Sequence, residues 1–280
     1  MANTTNPGVP AAVGLPAGHS SFRRALTDIH RGVLSLHLWP TLAWQEIKQR
    51  YRRSLLGPFW LTISTGIFIA AMGPLYGTLM GQSAGQYLHF LAVGFIIWLF
   101  ISGLITDGCQ AFIAAEGYIK QTSLPLTVHA MRVVWRNVLL LAHNLVIIVL
   151  VSAYFMPAWS WGVLTVPLGL GLIALNGIWL SLLLGLLSAR FRDIPQIITS
   201  IVQLLFFITP IFWRPDMLTA YPRITDWNPV FHLIEVVRAP LLGNPVPVAS
   251  WCAALAITAL GWIAALTFFT RYRARIAYWI

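Results

Sequence analysis

Apolar positions in this chain gather into long runs rather than alternating, and polar positions are confined to the gaps between them. A helix that crosses a bilayer needs about 20 mostly apolar residues. Six stretches meet that requirement, at residues 58–80, 88–106, 137–156, 163–188, 195–213 and 249–270. Pro195, Pro210 and Pro215 bracket the fifth, and Pro167 with several glycines interrupts the fourth, which membrane helices tolerate better than soluble ones. The connections at 81–87 and 157–162 are short and uncharged, whereas 214–248 is long and holds Pro215, Pro222, Pro229, Pro240, Pro245 and Pro247. Inside it, "NPVFHLIEVVRAPLLG" reads as a helix too short to span and too apolar for a solvated loop. Glu235 and Arg238 stand there at i, i+3, where they can pair. The pattern predicts an all-α integral membrane protein with six transmembrane helices and re-entrant helices between the fifth and sixth spans. Residues 1–35 are expected to be a disordered polar cytoplasmic tail and 36–280 a single transmembrane domain.

Just before the first span stands "IKQRYRRSLLGPFW", with four cations, Lys48, Arg50, Arg52 and Arg53, among six residues. On a helix over 41–56, Trp44, Ile47, Tyr51 and Leu55 share one face, and cations fill much of the rest. That amphipathic pattern describes a helix lying in the cytoplasmic interface. Gly57 permits a sharp turn, and Pro58 suits the first position of the following span. Two readings of the cations stay open. They anchor and orient the first span, or they also receive an anionic lipid-linked substrate, whose diphosphate head suits the planar Arg fork.

Composition agrees with a membrane chain. Of its 280 residues 58% are hydrophobic and only 9% charged, where a soluble domain carries about 25% charged residues. The net charge of +10 is spread among apolar segments, with no basic soluble unit, which argues against nucleic acid as a partner. The distribution of the 18 Lys and Arg residues sets the orientation. Arg23, Arg24, Arg31, Lys48, Arg50, Arg52 and Arg53 precede the first span, and Lys120, Arg132 and Arg136 lie between the second and third. Arg190 and Arg192 separate the fourth and fifth, and Arg271, Arg273 and Arg275 end the chain. Only Arg214, Arg223 and Arg238 fall on the other side, so the positive-inside bias puts both termini in the cytoplasm. Residues 1–20 show no signal-peptide pattern, so the first span is expected to direct insertion.

Candidate chemistry is sparse. Cys109 and Cys252 make no metal or disulfide framework, and no His spacing suggests a metal site. The eight carboxylates are few and scattered, with none expected near a bilayer centre, where a proton-coupled carrier usually keeps one. His143, Asn144, Asn176 and Gln203 within spans are read as packing hydrogen bonds. Most of the 13 Trp residues lie near span ends, as an interfacial belt. The two lysines, Lys48 and Lys120, each follow an Ile, so neither fits the P-loop pattern, and any ATP chemistry must reside on another chain.

"IKQRYRRSLLGPFWLTI" resembles the start of the permease subunit of ABC transporters that export cell-surface polysaccharides, the type-2 exporter family. "ARFRDIPQIITSIVQLLFFITPIFW" and "NPVFHLIEVVRAPLL" are similar to two further stretches of that family, and the resemblance runs over roughly residues 35–275. It implies a non-enzymatic permease of the bacterial inner membrane that acts as a homodimer with two ATP-binding cassette subunits. The cargo it implies is an undecaprenyl-diphosphate-linked glycan such as O-antigen, with capsular polysaccharide and teichoic acid as alternatives within the family. No cofactor is expected on this chain; ATP and Mg belong to the partner.

Under this reading Lys48, Arg50, Arg52 and Arg53 would meet the lipid head, and Phe59, Trp60 and Trp98 would line the path. Glu116, Tyr118, Lys120 and Gln121 would form a coupling helix for the ATPase that ends before Pro125, with "RFRDIP" a second contact. Glu235 and Arg238 would make an outer re-entrant pair. A membrane-embedded glycan-assembly enzyme and an ion-coupled transporter are the competing classes, and the carboxylate distribution favours neither.

Overall fold

The computed structural model describes residues 19–52, 54, 57, 59–155, 161–218 and 223–280, and all regular structure among them is helical. In chain order the helices are α1 (His19–Leu34), α2 (Trp39–Arg50), α3 (Phe59–Leu79), α4 (Ala84–Cys109), α5 (Glu116–Gln121) and α6 (Thr127–Phe155). They continue with α7 (Val166–Arg190), α8 (Ile194–Ile208), α9 (Arg223–Asp226), α10 (Pro229–Leu241), α11 (Val248–Tyr272) and α12 (Ile276–Trp279). Five helical stretches are long and apolar enough to cross a membrane: Phe59–Leu79, Gly85–Cys109, Thr127–Phe155, Trp161–Arg190 and Val248–Trp279.

α4 is the hub, packed by α3, α6, α7, α8 and α10. Its near-continuous apolar sequence, without the polar stripe of a surface helix, is what a helix enclosed on all sides requires. Between membrane helices the drive to pack comes from close approach and hydrogen bonds rather than exclusion of water. The α7–α11 seam shows both. Asn176 donates to Thr258 Oγ1 at 2.8 Å and accepts from the Trp179 indole at 2.7 Å. A Cβ on Gly261 would collide with the Trp179 ring. The expectation of packing hydrogen bonds thus holds for Asn176, but His143 bonds the Leu139 carbonyl of its own helix at 2.7 Å.

Three elements depart from the sequence pattern. Residues 1–18 lie outside the described residues, but within the tail expected to be disordered, His19–Leu34 is a helix. Its Asp28 carboxylate accepts from the amides of Leu126 and Thr127 at 3.2 and 3.1 Å, capping α6 from outside. Arg273 donates to the same carboxylate at 2.8 Å. Leader and C-terminal segment therefore meet at one end of the bundle. Asp28 is 6% exposed, so Asp28→Ala is expected to lower stability by about 2 kcal/mol, a lost helix cap with part of an ion pair. Thermal unfolding of the purified chain checks this, and an unchanged midpoint would remove α1 from the folded core.

The second departure is the start of α6, ten residues before the expected span, which makes Arg132 and Arg136 helical, the first buried and the second half-buried, rather than loop charges. The third is the fifth stretch. Its helix α8 stops after 15 residues at Ile208, roughly 22 Å at 1.5 Å per residue, so it does not cross the hydrocarbon by itself. Beyond it the backbone opens at Thr209–Phe212 in the protein interior, Thr209 being 1% and Ile211 0% exposed. Irregular backbone at such a depth needs partners. Arg238 Nη1 supplies one to the Pro210 carbonyl at 2.6 Å, and the Tyr87 hydroxyl supplies one to Phe212 at 2.6 Å. α10 then packs against α4, α7 and α11 with Val230, Ile234, Val236 and Val237 buried. Asn228 caps it, accepting from Val230 and Phe231 at 3.0 and 3.2 Å.

Candidate functional site: an amphipathic cavity beside the interface helix

α2 begins at Trp39, with Pro40 in its first turn, and ends at Arg50 rather than running over 41–56. Its buried stripe is Trp39, Ala43 and Ile47, at i, i+4 and i+8, while Trp44, expected on that face with Ile47, is 49% exposed. The stripe sits on α6, where Trp39 meets Trp135 edge-on at 5.4 Å and donates its indole N–H to Val33 at 3.2 Å. Gly57 has φ of +56°, the left-handed turn expected there.

Glu46 on α2 fixes the helix to the bundle. It pairs with Arg132 at 2.9 Å and with Arg136, and Arg136 Nη2 also reaches Asp107 at 2.9 Å. Asn137 donates to Asp107 at 2.9 Å, and Arg132 donates to the Ala111 carbonyl at 3.3 Å. Two carboxylates and two guanidiniums thus join α2, α4 and α6 in a half-buried, charge-balanced network. Each of these residues is visible in the sequence as a charge, but the sequence offers no signal of their pairing, because Glu46 and Arg136 are 90 positions apart.

Over this network lies a cavity of about 1010 Å³. Arg50, Tyr51, Thr106, Asp107 and Asn137 line its polar end. Phe95 and Trp98 on α4 and Phe206 and Phe207 on α8 line the other, with Ser102, Asn144, Thr199, Ser200 and Gln203 among them. From Phe95 to Asp107 along α4 is roughly 18 Å. Phe206 lies 5.5 Å from Trp98 and 6.2 Å from Phe95, so the aromatics form one continuous surface. Asn144 Oδ1 is buried without a hydrogen-bond partner among the described residues, an acceptor awaiting a donor. Gln203, expected to bridge helices, is exposed in the cavity instead.

A second hollow of about 490 Å³ is lined by Trp44, Lys48, Tyr51, Arg52 and Gly57. Tyr51 borders both hollows. The structure therefore divides the expected cationic group: Arg50 faces the main cavity, Lys48 and Arg52 the smaller one, and Arg53 lies outside the described residues, as do Leu55 and Pro58. Of the expected path aromatics, Trp98 lines the cavity. Phe59 and Trp60 do not; they are 58% and 57% exposed on the outside of α3, where Phe59 meets His143 edge-on at 5.5 Å.

The short helix α5 leaves Glu116, Tyr118, Lys120 and Gln121 exposed and ends before Pro125. Lys120 donates to Glu116 at 2.7 Å and holds that carboxyl below its ordinary range. At the other end of the bundle Arg238 bonds Glu235 at 2.6 Å and stands 4.5 Å over the Phe90 ring. Arg238 is 1% exposed, so it is an internal tie and not the outer loop charge expected from its place in the chain.

Among the described residues two polar groupings near or beside the cavity can be compared with catalytic arrangements. Ser152 and His89 lie 3.0 Å apart, but both are buried and outside the cavity lining. Asp107, the carboxylate that lines the cavity, is committed to Arg136 and Asn137. A large hollow of aromatics, amides and hydroxyls suits binding of a polar ligand with apolar faces.

Comparison with known proteins gives the same direction. The O-antigen export system permease protein RfbA of Klebsiella pneumoniae is 26% identical over 195 residues, 68% of this chain and 74% of that protein. The protein of the same name from Myxococcus xanthus is 23% identical over 236 residues, 82% of this chain and 91% of that protein. The profile of the ABC-2 type transporter family matches residues 37–242, a segment that contains α2, the cavity and α10, and the chain belongs to that family.

Proposed function

We propose that this chain is the permease subunit that passes a lipid-linked polysaccharide, O-antigen on undecaprenyl diphosphate being the leading candidate, across the bacterial inner membrane. It acts as a homodimer with two ATPase subunits, which carry the ATP and Mg, and α5 is the element those subunits grip. The observation that carries this reading is the amphipathic cavity. Its aromatic faces suit the CH faces of sugar rings, its amides and hydroxyls suit their OH groups, and Arg50 and Tyr51 stand where the lipid's diphosphate would enter. The RfbA likeness supports O-antigen over capsular or teichoic chains as cargo.

Six crossings, with both termini in the cytoplasm, are supported by the contact of Asp28 with Arg273. Segments that meet at one end of the bundle require an even number of passages between them, and α8, the internal bend after it and α10 supply the sixth. The cationic side of the bundle is then the cytoplasmic one.

Replacing Lys48, Arg50, Arg52 and Arg53 together by Gln is expected to lower glycan export about tenfold or more, because even one lost charge-assisted contact of about 1.5 kcal/mol has that effect. Surface glycan measured at equal membrane levels of the chain checks it. Unchanged export would reduce these residues to topological anchors. Purification in nanodiscs is expected to recover a stoichiometric P-loop ATPase, and a chain that reproducibly emerges alone removes the partner from the proposal.

A further inference from the structure

Among the described residues five buried or half-buried arginines meet carboxylates: Arg132, Arg136, Arg214, Arg238 and Arg273. Arg190 and Arg275 are exposed, and among the described residues neither has a carboxylate within ion-pair distance. Both line a groove of about 370 Å³ where the last turns of α7 and α11 meet α12. Arg190 lies 5.5 Å from the Trp279 ring and 5.6 Å from Phe191, and Arg275 lies 5.9 Å from Tyr272. Tyr272 and Trp279 are themselves 5.9 Å apart. The floor is Leu186, Leu187 and Phe268, which belong to the terminal turns of two membrane-length helices. Phe268, Tyr272 and Arg275 stand at i, i+4 and i+7, so one face passes from apolar to aromatic to cationic. Arg273, between Tyr272 and Arg275, turns inward to Asp28, so the groove's cations are Arg190 and Arg275.

We infer that this groove binds the phosphodiester head of an anionic phospholipid. Ring faces orient a guanidinium but leave its charge unneutralised, and a phosphate answers it with two acceptors per fork. The Trp–Tyr–Arg order fits the depth of head group and glycerol at the cytoplasmic boundary, and the leucines and Phe268 receive the start of the acyl chains. The site is distinct from the cavity and from α2, and it does not depend on which cargo the cavity carries. It would hold the C-terminal segment against α7 and so, through Arg273 and Asp28, steady the capped start of α6.

The test is native mass spectrometry of the full chain, purified with whatever subunits accompany it, titrated with phosphatidylglycerol or cardiolipin against phosphatidylcholine. Retention of the anionic lipid in preference to phosphatidylcholine is expected. R190Q/R275Q is expected to lower that retention about tenfold, whereas R23Q/R31Q, an equal loss of charge on α1, leaves it unchanged. Equal loss in both pairs, or no preference for the anionic lipid, overturns the site in favour of general charge attraction. Because α12 touches α5, loss of the ATPase subunit by R190Q/R275Q with lipid retention unchanged would make the groove a protein contact and overturn it equally. Should the variant misfold, photoactivatable phosphatidylglycerol on the unsubstituted chain is expected to label residues 268–279, and labelling confined to other segments rejects the proposal.

Discussion

Glu46→Gln is expected to destabilise the purified chain by about 3 kcal/mol, one of the two largest effects of a small change in this protein. Removing one partner of a buried ion pair leaves the other charge without compensation, and that cost commonly reaches about 3–5 kcal/mol. The lower end applies because the Glu46 side chain is 26% exposed, while Arg132 is 3% and Arg136 12% exposed. Arg132 keeps only its bond to the Ala111 carbonyl, and Arg136 keeps Asp107. α2 loses its charged tie to α6, so export is expected to fall with stability. Thermal unfolding in detergent, compared with Lys120→Gln at the exposed Glu116–Lys120 pair, separates a network effect from a surface one. Equal midpoints for the two variants would show that the network contributes nothing beyond solvated charges.

The second large effect concerns the cavity. Ser200 and Gln203 are one turn apart on α8 and exposed into it. Ser200→Trp with Gln203→Trp is expected to cut export by more than about tenfold, since two indoles, each of 150–250 Å², project into the space a glycan would occupy. Neither position packs in the core, so the unfolding midpoint and membrane level are expected to hold. Normal export in this variant would place the route elsewhere and leave the cavity a packing void.

Legibility in the sequence followed the range of the forces involved. Span lengths depend on local apolar runs, so the ends of α3, α4, α7 and α11 were readable to within a few residues, and the Gly57 turn and the end of α5 before Pro125 likewise. α8 was not, because Pro210 and the aromatics after it continue an apolar pattern without continuing a helix. Hydropathy cannot tell buried irregular backbone from buried helix when distant side chains, Arg238 and Tyr87 here, satisfy the open carbonyls.

The same limit governs the charges. By itself the sequence determined that this protein lives in a membrane, that its cations cluster in particular gaps between apolar runs, that a basic stretch precedes the first span, and that neither of its lysines fits a P-loop. Those conclusions need only composition, local periodicity and a missing motif. Which cations are free and which are committed was decided by tertiary structure alone. Arg132, Arg136, Arg238 and Arg273 are spent on internal carboxylates, while Arg50, Lys48 and Arg52 face hollows and Arg190 and Arg275 face an aromatic groove. Where burial removes water from one partner, an arginine's role is set by the nearest acceptor, and Asp28 is 245 positions from Arg273 along the chain but 2.8 Å away in space.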